Sequence, residues 1–463
     1  MLGTGLPPLQ SCFGDVRVDR RCEQIRAVAA VRPGLSFPRM MRVESQREAL
    51  YRFLRNPKVT VDELLAPHYQ ATVRRMQDHP VVLHVHDTST FTFPGDAKRP
   101  GTGVLPNGQG FFGHFALAVA PTDRRPLGVI GLETIFRSTR RKPKRTEASR
   151  RAPDKESARW LRLALATEAR AQHPAVVHVM DREADAYELL AALASRGSRF
   201  VVRVQYDRQA QGDDGQWASL FETMTAAPLM LEREVMLSRR SKHRPLGPRK
   251  VHPPRRGRRA RLAVSAATVT LQRPTRRCEQ LAPTVQVNVV RVHEIEPPPG
   301  EPAVEWRLIT TEPIATAEDV ARVVDYYRAR WVVEEYFKAL KRGCRYEQRQ
   351  LEGRASLLNA LALFVPIAWR VLLVRTLARS PAPDLASQVL TVTQVAVLEH
   401  MLKRRLGTTA TAVDALLAIA ELGGHIKNNG WPGWEVLGRG YEDLLMFEAG
   451  WCAATGAARS DQS

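Results

Sequence analysis

Apolar and polar positions along this chain fall into two periodic patterns. In Glu44–Asn56 (ESQREALYRFLRN), Ala49, Leu50, Phe53 and Leu54 recur at helical spacing, which predicts an amphipathic helix. Residues from about 13 to 60 read as helical with loops, and Arg47, Arg52 and Arg55 leave this region basic. The pattern then turns strand-like. Val81–Phe93 (VVLHVHDTSTFTF) alternates and is rich in β-branched and aromatic residues, and His114–Ala120 and Pro126–Phe136 add two more strands. Helical spacing returns over Glu156–Gln172. Ala175–Asp181 (AVVHVMD) is a short apolar run of the type buried on both faces. A helix over Ala184–Ser195 and a strand over Arg199–Val204 follow. The order β-β-β-α-β-α-β predicts an α/β fold, a mixed sheet flanked by helices.

Residues 206–305 carry further strand-like runs and read as a β-rich insertion. Between Arg239 and Arg261 there are eleven Lys and Arg in 23 residues and no acid, which predicts a basic loop. One long helix is expected from Ala317 through Gly343, and mostly helical chain beyond Arg354. At 463 residues the chain has room for several domains. The boundaries expected are 1–60 (helical and basic), 61–205 (first part of a core), 206–305 (insertion), 306–355 (rest of the core) and 356–463 (helical). No internal repeat is evident.

Composition narrows the partner. Hydrophobic residues make up 44% and charged residues 25%, ordinary for a globular protein. Against 48 acids stand 69 Lys and Arg, a net charge of +21, and such a surplus points to a polyanion, nucleic acid first. The most apolar stretch, Leu357–Trp369, has 13 residues where a membrane span needs about 20, so no membrane partner is expected. The N-terminus lacks the basic start and long apolar run of a signal peptide. Five scattered cysteines without a CxxC pair argue against a disulfide framework and a structural zinc site. A reducing cytoplasm, on nucleoid DNA, is the expected location.

Three acids stand where chemistry is expected. Asp87 and Asp181 close the apolar parts of two strands, and acids at the carboxyl ends of core strands sit at the sheet rim where α/β proteins bind ligands. Glu334 lies in the long helix. Two Asp from neighbouring strands and a Glu from a covering helix form an oxygen-rich set suited to Mg²⁺. Blander readings stay open. An Asp after a strand also caps a turn, and Glu183 and Asp185 rival Asp181 within the same DREAD segment. Tyr327, Arg330, Glu334, Lys338 and Lys341 are spaced 3, 4, 4 and 3 and share one helical face. On spacing alone, Glu334 and Lys338 on that face read first as a surface salt bridge worth about 0.3–0.5 kcal/mol. The alternative is a face laid along a DNA backbone, with Glu334 on metal and Arg330, Lys338 and Lys341 on phosphates. His86 and His114 near the first strands read as structural, not as metal ligands.

Asp87 in HDTSTFTF, Asp181 in MDREAD and the run Y-x-x-R-W-x-x-E-x-x-x-K-x-x-K from Tyr327 to Lys341 resemble the bacterial insertion-sequence transposases of the DDE type. The match is to the family-four, Tn-five-like group with its YREK signature. FGD (Phe13–Asp15), YRFLRN (Tyr51–Asn56), KES (Lys155–Ser157), FVVR (Phe200–Arg203) and WRLITTEP (Trp306–Pro313) are similar to that group in the same order. The resemblance spans about residues 13–355, with a looser echo in Leu422–Leu444.

The resemblance implies an RNase H-like core with a β-insertion between the second Asp and the Glu. It implies that Asp87, Asp181 and Glu334 ligate two Mg²⁺ ions, with Mn²⁺ able to substitute. It implies cut-and-paste chemistry: strand cleavage, hairpin formation on the donor end, reopening, and joining to target DNA. Arg203, Trp306, Tyr327, Arg330, Lys338 and Lys341 correspond to DNA-contacting positions. Trp306, 21 residues before Tyr327, would stack on a flipped base, an interaction worth about 1–3 kcal/mol. On sequence alone it reads equally as a core tryptophan beside the strand RLIT. Implied partners are double-stranded transposon ends and target DNA, held by a homodimer. Family members carry more sequence before FGD, for recognising transposon ends, which implies either a mis-called start or a shortened end-binding region here. That motivates one rival expectation, a non-catalytic DNA-binding or inhibitory relic. A nuclease that cuts without joining is another.

Overall fold

The structure is a computed structural model that describes residues 13–31, 34–41, 43–93, 99–105, 108–137, 158–212, 215–237, 255–274, 281–379, 385–426 and 430–455. Cys12, the KES motif, the basic run 239–250, Cys278 and the SPAPD segment lie outside the described residues.

The chain begins with α1 (Val16–Val31), α2 (Phe37–Met40), α3 (Glu44–Arg55) and α4 (Val61–Met76). Four strands follow: β1 (Val82–Phe93), β2 (Gly103–Leu105), β3 (Gly108–Val119) and β4 (Pro126–Ile135). Next come α5 (Arg159–Ala171), β5 (Val176–Met180), α6 (Tyr187–Ser195) and β6 (Arg199–Arg203). The insertion holds β7 (Gln209–Gln211), β8 (Trp217–Ser219), α7 (Leu220–Ala226), β9 (Leu229–Leu237), β10 (Arg258–Gln272) and β11 (Thr284–Ile295), and β12 (Glu305–Thr310) returns from it. The last helices are α8 (Ala317–Ala329), α9 (Trp331–Lys338), α10 (Arg354–Leu377), α11 (Val392–Leu402), α12 (Ala412–Leu422) and α13 (Trp434–Thr455). Four of the helices start at a threonine whose hydroxyl accepts the N3 amide while the N3 side chain returns to the cap: Thr60/Glu63, Thr316/Asp319, Thr391/Gln394 and Thr411/Asp414.

Two compact units divide the chain. The first comprises Met1–Glu156, Leu165–His173 and Trp331–Ser463. Its β1 pairs antiparallel with β3, in the register that sets Asp87 opposite Phe115, and β3 pairs with β2 and β4. Val82–His86 are buried without interruption, and partial exposure begins at Asp87. Asp87 therefore lies within a strand that continues to Phe93, at the point where it emerges from the core, and does not end it.

The helix α10 corrects the sequence reading. It has 24 residues rather than an apolar 13, and by length and composition it could cross a membrane. In this structure 78% of its most apolar window is buried inside the protein. Its polar groups find protein partners: Asn359 donates to the carbonyls of Leu54 and Val59, and Trp369 Nε1 to that of Pro126. A buried helix whose polar side chains are satisfied this way is a core helix.

The second unit comprises Ser157–Ala164 and Pro174–Arg330. It is built on a large mixed sheet. β5 and β6 are parallel; β6, β12, β11 and β10 follow in antiparallel order, and β10 also pairs with β9 and β7. Side chains alternate across it. Phe200 and Val202 of β6, Val287 and Val289 of β11 and Ile309 of β12 join α6 and α7 in one hydrophobic cluster with Trp160, Tyr187, Leu190 and Met224. Val201, Val290 and Leu308 are equally buried and alternate to the other face. α8 packs against β5, β6 and β9–β11. Helices thus flank the sheet, as the α/β pattern predicts.

The basic stretch is a loop only in part. Arg258, Arg259 and Arg261 belong to β10, where alternation and cross-strand acids decide their fate. Arg258 pairs with Glu294 and, at 2.9 Å, with Glu301; Arg261 pairs with Glu232 at 2.9 Å and Arg259 with Glu234 at 3.8 Å. Glu232, Glu234 and Glu294 lie on other strands and Glu301 on the loop after β11, so a local count of charge missed them.

Candidate functional site

The second unit gathers five of the expected site residues. Apolar β5 delivers Asp181 to its carboxyl end, where the carboxylate accepts the Glu183 N–H at 2.9 Å and caps a short 3-10 turn, Arg182–Ala184. Its two rivals are engaged elsewhere. Glu183 pairs with the buried Arg159 at 2.6 Å. Asp185, with no exposed side-chain surface, accepts the N–H groups of Gln205 (2.6 Å) and Tyr206 (2.9 Å) and pairs with Arg208. Asp181 is half-exposed.

One strand along, Arg203 ends β6 and donates to the carbonyl of Glu305 (3.3 Å). Its guanidinium also lies close enough to the Tyr327 hydroxyl to lower that group's pKa. Trp306 on β12 meets the Tyr327 ring edge-on, centroids 5.3 Å apart. Burial pushes the Tyr327 phenol above its ordinary range; Arg203 and Arg330 pull it back, and the Asp181 carboxylate raises it further. Asp181, Arg203 and Arg330 thus all lie within electrostatic reach of the Tyr327 phenol. Trp306 is half-exposed beside them, on neither a core nor a free position.

The first unit holds the others. Asp87 and its cross-strand partner Phe115 point to one face of β1–β3. Onto that ring pack Tyr336 (5.7 Å) and Phe337 (5.4 Å) of α9, the helix that carries Glu334. Asp87 accepts the Thr88 N–H at 2.7 Å and, like Glu334, is half-exposed. His86 and His114 are fully buried, their rings 5.8 Å apart, with Thr88 Oγ 2.9 Å from His114 Nδ1.

The expected single helix with one uniform cationic face is corrected. α8 tightens at Arg330, whose N–H bonds the carbonyl of Tyr327 three residues back, and α9 starts at Trp331. A π turn, Ala339–Gly343, then follows. Tyr327 is buried at 4% exposure. Lys338 pairs with Glu335, not across four residues with Glu334. Lys341 turns inward to the carbonyl of Thr90 and to Glu347. An added residue in one turn rotates everything after it, so spacing carried across the turn no longer marks a face.

Among the described residues, no three His, Cys, Asp or Glu side chains form a metal-holding cluster. The donor chemistry of Asp87, Asp181 and Glu334 nevertheless fits a hard divalent cation. All three are carboxylates, each half-exposed, and such ions bind through one or two carboxylates with water and substrate phosphates completing the shell. Cys22, Cys344 and Cys452 are buried and form no disulfide, and burial pushes the Cys344 thiol up to about 12, away from metal or nucleophile chemistry.

The fold is that of an α/β protein, a mixed sheet flanked by helices, with Asp181 at a strand end near Arg203 and the edge-on pair Trp306 and Tyr327. Residues 154–365 match the family model of the transposase DDE domain, and residues 9–59 match that of the transposase DNA-binding domain. The first match contains Asp181 and Glu334 and begins after Asp87; the second covers the basic helices α1 and α3. Together they support a DDE-type DNA transposase, a nuclease and polynucleotidyl transferase by class, with DNA as its partner. Among solved structures the chain is similar to one described as "Cryo-EM structure of piggyBac transposase synaptic complex with hairpin DNA (SNHP)". Identity is 11% and the TM-score 0.34, over 94% of this chain and 72% of that one, a likeness too slight to carry an argument.

Sequence reasoning named Asp185 but missed its partner Arg208, and missed Arg159 and Glu347 altogether. Only the crowding of acids in DREAD hinted at the first two.

Proposed function

We propose that the protein is a cut-and-paste transposase of the insertion-sequence, YREK-signature group, with an RNase H-like core. Asp87, Asp181 and Glu334 hold two Mg²⁺ ions, replaceable by Mn²⁺. Bound there, the cations supply the Lewis acidity that an in-line displacement at a phosphodiester requires. Arg203, Arg330 and Lys338 neutralise phosphates and fix the register of the DNA. Trp306 receives a flipped base, and its edge-on contact with Tyr327 holds the indole upright. The chain cuts one strand with water, uses the new 3′-OH to close a hairpin, reopens it, and joins the end to target DNA. It works as a homodimer on paired ends, in the cytoplasm. The observation that supports this reading most is the convergence of Asp181, Arg203, Trp306, Tyr327 and Arg330, from four separate elements, within one unit.

A labelled duplex ending in the repeats that flank the gene tests it. With Mg²⁺ the full chain yields a nick, a hairpin and a joined product. Asp181→Ala loses all three while its gel shift persists. Cleavage retained in that variant, or cutting without a hairpin, refutes the proposal.

A further inference from the structure

The contact behind the Trp306 indole depends on how α8 is turned about its axis. Val320, Val323, Val324 and Tyr327 recur at helical spacing and are buried, so this stripe faces the sheet. Asp325 follows Val324 and stands on the flank of the stripe. There it meets Arg233 of β9. Both terminal nitrogens of the guanidinium reach the carboxylate, Nη1 to Oδ2 and Nη2 to Oδ1, each at 3.2 Å. Arg328, nearly one turn on, adds a bond to Oδ1 at 2.9 Å. The Arg233 side chain keeps 20% of its surface and that of Asp325 39%, so the pair is half-buried. Burial raises the Asp325 carboxyl, but Arg233 and Arg328 outweigh it and hold the group below its ordinary range.

Strand register puts this pair on the face that carries Trp306. Arg233 stands opposite Leu262 of β10, and Leu262 opposite Glu294 of β11. Val292, two residues before Glu294, stands opposite Trp306 of β12. Directly paired residues share a face, and so do residues two apart in one strand. α8 therefore touches this face at two strands with β10 and β11 between them: Asp325 on Arg233 of β9, and Tyr327 on the ring of Trp306. A helix is stiff over two residues, so a rotation that carries Asp325 off Arg233 carries Tyr327 off Trp306 by the same angle. A forked, two-point bond resists such a rotation better than a single bond does.

We propose that Arg233 and Asp325 are positioning residues: their forked ion pair fixes the rotation of α8 and so holds Tyr327 edge-on behind the Trp306 indole. The inference rests on the reading that Trp306 receives a flipped base.

Duplexes ending in the repeats that flank the gene, each with one 2-aminopurine among the terminal base pairs, test it. The readout is the emission change when saturating full chain binds in EDTA. With wild type one duplex of the set changes far more than the rest, and Trp306→Ala abolishes that change. Arg233→Met and Asp325→Asn each lose more than half of it, and the double variant loses no more than either. Arg233→Lys keeps the charge but not the fork, and falls between. Affinity for a random-sequence duplex, by fluorescence anisotropy, is unchanged in all of them. The two single variants alter charge in opposite directions, so a loss shared by both is not a phosphate effect. Wild-type emission in Arg233→Met or in Asp325→Asn overturns the proposal. So does a loss in Arg233→Met beside a gain in Asp325→Asn, which makes Arg233 a phosphate contact. Loss of random-duplex affinity in both variants overturns it as well, by making the pair merely structural. If no duplex of the set responds, or Trp306→Ala responds as wild type does, the reading of Trp306 has failed instead.

Discussion

Replacing Asp185 by alanine removes the one carboxylate that ties the turn after β5 to the loop after β6. The side chain has no exposed surface, and its partner Arg208 keeps only 10%. Two backbone N–H groups, of Gln205 and Tyr206, bond the same carboxylate. Removing one member of a buried ion pair costs about 3–5 kcal/mol, because the remaining charge stays buried and unpaired. Each N–H left unsatisfied adds about 1–3 kcal/mol, less whatever water entering the vacated space restores. We expect a loss of about 5 kcal/mol for Asp185→Ala, comparable with the lower end of a domain's whole stability. Urea unfolding followed by circular dichroism measures it. In Asp185→Ala/Arg208→Met no buried charge is stranded, and about 2–3 kcal/mol returns. A loss under about 1 kcal/mol, or a double variant no more stable than Asp185→Ala, refutes the reasoning.

Two glycines of α13 give opposite signs for one substitution. A Cβ on Gly440 would lie 1.7 Å from the Ile419 carbonyl oxygen of α12, so Gly440→Ala forces the helices apart and costs about 2 kcal/mol net of the helix-propensity gain. Gly450 has nothing within 4 Å, and Gly450→Ala stabilises by about 0.5–1 kcal/mol; thermal melts of both check the pair. His68 is buried and accepts the Val129 N–H on Nε2 at 3.1 Å, and burial, with Arg75 and Arg26 nearby, holds its pKa well below the ordinary value of 6.5. The folded state therefore binds fewer protons than the unfolded one. This contribution is whole above about pH 6.5 and is lost as pH falls below it, by up to about 1.4 kcal/mol per unit. His68→Gln flattens that slope in urea titrations run between pH 7 and 5; an unchanged slope contradicts the assignment.

Much of this fold was legible because burial writes itself into local sequence. The apolar runs ahead of Asp87 and Asp181 marked β1 and β5 to within a residue or two, since strands buried on both faces admit little else. The order β1, β3, β4, α5, β5, α6, β6 followed from period, but the three-residue β2 and the helix α4 were not marked by it. What sequence could not carry was set by contacts distant in the chain. The arginines of β10 looked unopposed because Glu232, Glu294 and Glu301 neutralise them from outside the stretch. The helix at Arg354–Leu377 looked shorter because Arg370 interrupts its apolar run without interrupting its hydrogen bonds. The π turn adds one residue to a helix and leaves no trace in composition, so the inward swing of Lys341 toward Glu347 was invisible. Of the candidate site, the motif named the residues to examine; that Glu183 pairs with Arg159 and Asp185 with Arg208, while Asp181 only caps a short turn, was not legible.

The central claim, that Asp87, Asp181 and Glu334 grip the same cations, is tested most directly by loading the full chain with Fe²⁺ and generating hydroxyl radicals, which cut the backbone beside bound metal. The account predicts three sets of fragments, with ends near residues 87, 181 and 334, all lost together in Asp181→Asn and all suppressed by excess Mg²⁺. Cutting confined to one of these positions, or surviving at the other two in that variant, contradicts it.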